Sequence, residues 1–221
     1  MAALLVAVAG SVPLGSRSTL LCILTATLVL FYNGPGKHIA GLGIVTLGLV
    51  RGIHMLIADP RLGYLWPVWL TVTHIIGLSA LCHRLEEKRP PLAGPHVWVV
   101  TLGWAFISIA MIAWMEQRDW LILRGPVDRP WIWAGPGIAA VLFVLIAIHT
   151  TRTAANPQAA GALIMKRGLL WLIVYDAAWL AGAGLWKAAA VNGALLPATW
   201  LLMSLLRQLK VLTQSPVQFQ R

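Results

Sequence analysis

The sequence predicts an all-α, polytopic transmembrane helical bundle of about eight membrane segments, and three observations predict it. The 221 residues are 59% hydrophobic and only 11% charged, where a soluble domain carries roughly 25% charged residues. Mean hydropathy is +0.78. Several apolar runs approach the roughly 20 residues that cross a bilayer as a helix. Residues 1–221 read as a single transmembrane domain.

The first apolar run, Met1–Val12, stops at Pro13 and is too short to cross a bilayer. It has no basic leader or cleavage context, so it reads as a half-span that begins inside a bundle rather than as a signal peptide. The following spans are Ser18–Tyr32, Ile39–Ala58, Tyr64–Cys82, Val97–Met115, Ile132–His149, Gly168–Trp186 and Ala189–Leu206. Turn chemistry separates them at Asn33-Gly34-Pro35-Gly36, Asp59-Pro60, Arg89-Pro90-Pro91, and Gly125-Pro126 through Pro130.

The net charge of +10 does not indicate nucleic acid, because the cations fall in short loops between apolar spans. Alternate loops place Lys37, Arg84, Lys88, Arg89, Arg152, Lys166, Arg167, Arg207, Lys210 and Arg221 on one side. Arg17, Arg61, Arg118, Arg124, Arg129 and Lys187 fall on the other. The richer side, with both termini, is expected in the cytoplasm. Trp66, Trp98, Trp114, Trp120, Trp131 and Trp186 lie near span ends, where indole rings anchor at the headgroups. Gly48 and Gly52 form a small-xxx-small pair for close helix approach. Cys22 and Cys82 read as small buried hydrophobes without metal or disulfide spacing.

The polar groups that can carry chemistry concentrate between Phe31 and Glu87, in FYNGPGKH, GLVRGIH and the start of HRLEEKR. Arg51 and Asp176 fall inside spans, where each costs about 2.5–3.5 kcal/mol at a helix centre. They are expected either to pair with each other or to line a polar cavity together with His54, one turn from Arg51. Glu86 and Glu87 are hard oxygen donors suited to Mg²⁺, and Lys37, Arg84 and Lys88 suit phosphate oxygens. The plainer reading of that stretch is an ordinary charged loop. The six histidines show no pair at i, i+4, which disfavours di-iron chemistry and leaves a haem held by two helices as an alternative. Catalytic triads, Gly-rich phosphate loops and paired Cys motifs are absent.

In motif order the chain resembles the C-terminal two-thirds of the UbiA superfamily of intramembrane prenyltransferases, closest to its EboC-like branch. The resemblance rests on Tyr32–Lys37 (YNGPGK), Gly48-Leu49-Val50-Arg51, Arg84-Leu85-Glu86 and Asp176-Ala177, and spans Ser18 to Leu206. It implies transfer of a polyprenyl group from its diphosphate to an aromatic or other acceptor, with Mg²⁺ as cofactor. It also implies a site on the cytoplasmic side of a bacterial inner membrane. Glu86 and Glu87 would hold the metal as the catalytic acids, Lys37, Arg84 and Arg51 would bind the diphosphate, and Tyr32, Asn33, His54 and Asp176 would line the cavity.

The family's NDxxDxxxD motif is missing, which implies that two helices and a loop are absent before Met1. Asn33 follows Tyr32, and His54 stands where the branch pattern has Asn. The alternative is a non-catalytic membrane protein that binds or helps export a lipid or isoprenoid. An exposed bundle face would favour a homo-oligomer.

Overall fold

The computed structural model describes residues 2–58, 65–116 and 131–213, and within α8 the side chains of Arg207 and of residues 210–213 are outside that description. The described residues are helical, without a strand. The helices are α1 (Ala2–Ser11), α2 (Ser16–Asn33), α3 (Ala40–Ala58), α4 (Trp66–Leu85), α5 (Gly94–Glu116), α6 (Trp131–Thr153), α7 (Pro157–Gly182) and α8 (Trp186–Thr213).

Six of them, α2 to α6 and α8, are long and apolar enough to cross a membrane, against the eight expected. α1 has only 10 residues. α7 has the length, but Lys166, Arg167 and Asp176 lie within it, and it is not among the six. The chain therefore has the composition of a membrane protein with a partly polar helix in its bundle.

The largest boundary correction is also in α7, which starts at Pro157 rather than Gly168. Asn156 caps it by accepting a hydrogen bond from Ala159 N at 2.7 Å, and Pro157 occupies the first turn, where its missing N–H costs nothing. The charged Lys166-Arg167 pair interrupts the apolar run without interrupting the helix. At its other end α7 stops at Gly182, and α8 takes up the chain at Trp186.

α4 is central. On one side Gly48 and Gly52 of α3 leave room for Ile76 and Val72; a Cβ at either glycine would lie 2.6 Å from those side chains. On the other, Gly168 of α7 admits Leu78 and Gly161 admits Glu86 and Leu85. The expected small-residue pair on α3 is therefore a real contact. α5 closes against α3, where Gly41 abuts the His96 carbonyl and Gly103 abuts Val45. Two indole rivets join α5 to α4: Trp69 Nε1 donates to Ser108 Oγ and Trp104 Nε1 to Thr73 Oγ1, both at 2.9 Å. α6 and α7 pack side by side, Phe143 and Ala147 sharing a core with Ile75, Leu78, Cys82 and Ile164.

Both cysteines are buried, as expected. Cys82 is 0% exposed and donates from Sγ to the Gly161 carbonyl at 3.3 Å. Trp98, Trp114 and Trp186 are exposed near helix ends, in keeping with anchoring. Trp66 is not an anchor. Its ring packs edge-on against Trp69 and Trp133, in a chain of rings that runs Trp104–Trp69–Trp66–Trp133–Trp179 across four helices. Trp120, the side chain of Trp131, and the turns at Asp59-Pro60 and Gly125–Pro130 lie outside the described residues.

The Gly41 contact meets backbone, which cannot swing aside, so Gly41→Ala must push α3 and α5 apart. The expected loss is about 1–3 kcal/mol of stability. Gly77→Ala, with nothing within 4 Å of the added methyl, is expected to be neutral or slightly stabilising. Unfolding of the two variants in the same detergent compares them directly.

Candidate functional site

Because the helices alternate in direction, three connections gather at one end of the bundle: Gly34–Ile39, Glu86–Ala93 and Ala154–Asn156. Packing fixes this, since Gly161 near the start of α7 touches Glu86 at the end of α4. Lys37, Arg84, Lys88, Arg89 and Arg152 lie at that end, and Lys166 and Arg167 lie on the half of α7 nearest it. Among the described residues Arg17 and Lys187 lie at the other. The predicted segregation of cations is present. Arg61, Arg118, Arg124, Arg129 and Arg221, with the side chains of Arg207 and Lys210, lie outside the described residues.

At the basic end, Tyr32, Lys37, Ser79, His83 and Lys88 line a pocket of about 110 Å³ with Ala40, Gly43, Ile44, Leu47 and Met165. Six segments thus meet there. The α2–α3 turn brings Lys37 close because Gly43 packs against the Gly36 carbonyl and the Tyr32 ring. His83 is fixed by a 2.8 Å contact from Nε2 to the Pro90 carbonyl. That carbonyl only accepts, so Nε2 carries the proton and Nδ1 remains free to bind.

The turn that delivers Lys88 is a Schellman cap. Lys88 N donates to His83 O and Glu87 N to Arg84 O, with Glu87 in the left-handed region at φ 50°. Lys88 then pairs with Glu86 at 2.8 Å.

This geometry separates the expected site residues. Tyr32 and Lys37 line the pocket with Lys88, which the sequence also matches to phosphate oxygens, and they are joined by Ser79 and His83, which the sequence does not single out. Asn33 is exposed, its amide donating to Val29 O. Arg84 and Glu87 are exposed. Arg51 stands eleven residues into α3, about 16 Å below its start at 1.5 Å per residue, too far to share a diphosphate with Lys37. It is exposed, as is His54. Asp176 is half-buried on α7. No ion pair joins Arg51 to Asp176; among the described residues the ion pair found is Lys88–Glu86.

The carboxylates expected to hold Mg²⁺ do not converge among the described residues. Glu86 is engaged by Lys88, Glu87 points away from the pocket lining, and no group of three His, Cys, Asp or Glu side chains converges among the described residues. What converges is cationic and hydroxylic, a set for an anion.

A second polar unit lies buried in the bundle. His74 Nε2 is 3.0 Å from the Gly168 carbonyl and Nδ1 is 3.2 Å from the Tyr175 hydroxyl. The carbonyl fixes the proton on Nε2, so Nδ1 accepts from Tyr175. Phe143 and Tyr175 pack edge-on against the imidazole. Both ring nitrogens are satisfied within the chain, which makes His74 a poor haem ligand. A cavity of about 430 Å³ adjoins it between α4 and α6, lined mainly by apolar side chains. A search for His pairs at helical spacing passes over this unit, since its partners come from a helix 94 to 101 residues away.

Comparison with known protein families, with curated proteins and with solved structures finds no match to this chain.

Two outcomes are expected. Tyr175→Phe strands the His74 acceptor and should lower stability by about 0.6–1.7 kcal/mol, the range of intramembrane hydrogen bonds, in reversible detergent unfolding. Glu87→Gly relieves the left-handed residue and should raise stability by about 1 kcal/mol in the same assay.

Proposed function

We propose that the chain is a UbiA-like membrane protein that binds an isoprenyl diphosphate at its basic end. One observation carries this reading: Lys37, His83 and Lys88, from three separate segments, face one pocket beside Tyr32 and Ser79. The two ammonium groups and two hydroxyls suit the oxygens of a diphosphate, and His83, whose Nε2 proton is held by the Pro90 carbonyl, can accept at Nδ1 from a protonated diphosphate oxygen or a bridging water. The prenyl chain runs inward past Leu47 and Met165, which floor the pocket with apolar surface. In this reading Lys37 keeps the role that the family resemblance gives it, while His83 and Lys88 take the place of Arg84 and Arg51. The positive-inside bias puts this end in the cytoplasm, and the resemblance puts the protein in a bacterial inner membrane.

A second reading is prenyl transfer itself, favoured by the Glu86 carboxylate, which pairs with the pocket-lining Lys88. There the carbon–oxygen bond to the diphosphate breaks, the diphosphate departs onto the cations, and the prenyl carbon bonds to an acceptor that loses a proton.

Binding of geranylgeranyl diphosphate to the purified chain tests both. Saturable binding is expected, weakened about tenfold or more by Lys37→Ala through loss of a charge-assisted contact worth about 1.5–3 kcal/mol. Glu86→Ala frees Lys88 and should leave affinity equal or higher, with or without Mg²⁺. Binding that requires Mg²⁺ and is abolished by Glu86→Ala favours the transferase. No saturable binding overturns both readings.

A further inference from the structure

The face of the bundle between α3 and α7 carries charges of opposite sign, with Arg51 exposed and Asp176 half-buried among the described residues. On α3, Leu47 lines the basic pocket, and Arg51 and His54 follow it at i+4 and i+7 on the same helical stripe. The other sides of α3 are taken: Gly48 and Gly52 meet α4, Gly41 and Val45 meet α5, and the Ile57 carbonyl accepts from Ser18 of α2. On α7, Met165 lines the same pocket, and Leu172 and Asp176 follow it at i+7 and i+11. Leu47 and Leu172 pack against one shared core cluster, so the two stripes descend side by side from the pocket.

They also reach the same depth. Gly48 and Gly52 bracket Val72 of α4, and His74 sits between Gly168 and Tyr175 of α7. α4 thereby places Arg51 and Asp176 level to within about half a turn, on the order of 2 Å. Neither forms an ion pair or hydrogen bond with another described residue. An exposed guanidinium and a half-buried, unpaired carboxylate at membrane depth are costly and call for a partner.

We propose that a second copy of this chain covers the face, with Arg51 of each copy paired to Asp176 of the other. A two-fold axis along the membrane normal preserves depth, so two residues level in one chain meet across the interface, each pair repeating the other. Charge complementarity thus names the occupant: the face is complementary to itself. The inference does not depend on the ligand assigned to the basic pocket.

The test is stoichiometry of the full chain in liposomes by single-molecule photobleaching across a lipid dilution series. Wild type is expected to bleach in two steps. R51D and D176R should each bleach in one, because both pairs become repulsive. Co-expressed under different labels, the two variants should recover two-colour dimers, since every pair across that interface is again of opposite sign. Pairing within one chain cannot be rescued in this way.

The double variant R51D/D176R should also dimerise. Should a reversal variant fail to insert, R51Q and D176N serve instead, with loss of the dimer expected. Wild type that bleaches in one step at every dilution overturns the proposal. So do single variants that remain dimeric, or co-expressed variants that remain monomeric.

Discussion

Glycine on both flanks of α4 is the constraint from which the rest of the architecture follows. Between membrane helices there is little hydrophobic drive to associate, because lipid is as apolar as the side chains; close packing and hydrogen bonds decide. Gly48 and Gly52 on one side and Gly161 and Gly168 on the other let three helices approach along much of α4. That approach brings His74 within reach of the Gly168 carbonyl and Cys82 within reach of Gly161. It also sets the end of α4 beside the start of α7, and so assembles the basic pocket. A side chain at Gly48 or Gly52 would act at a distance, whereas one at Gly161 or Gly168 would displace the very carbonyls that Cys82 and His74 bond.

Much of the fold was legible in the sequence, because apolar length and turn residues are local signals. The failures share a cause as well. α7 was misjudged where Lys166 and Arg167 interrupt hydropathy, although Asn156-Pro157 marks its true start. Trp66 sits at a helix end by position yet inside the bundle by packing, and only the neighbouring Trp133 of α6 distinguishes the two. The candidate site was half legible. Tyr32 and Lys37 fall within a short turn motif, whereas Ser79 and His83 reach the pocket only through the rotation of α4. Arg51 was credited with a headgroup role that its depth along α3 denies it.

The polar residues sort by depth. At the basic end, hydroxyls, imidazole and ammonium groups line a small pocket. In the middle, His74 and Tyr175 satisfy each other and a carbonyl, so burial costs them little. Below the pocket, Arg51 and Asp176 pair with no other described residue. An ordered series of this kind separates a polar pocket from a satisfied buried unit, and leaves a third class without a partner among the described residues.

The tryptophan chain has an optical consequence. Five of the twelve indoles stand with ring centroids 4.9 to 6.4 Å apart, from Trp104 through Trp179. At such separations excited states are shared between neighbours, so absorbed light migrates along the row before it is emitted. Intrinsic emission and near-ultraviolet dichroism of this protein will therefore carry a coupled contribution from the seam joining α5, α4, α6 and α7. An event in the basic pocket, which has tyrosine but no indole in its lining, will leave that contribution unchanged unless it moves the seam.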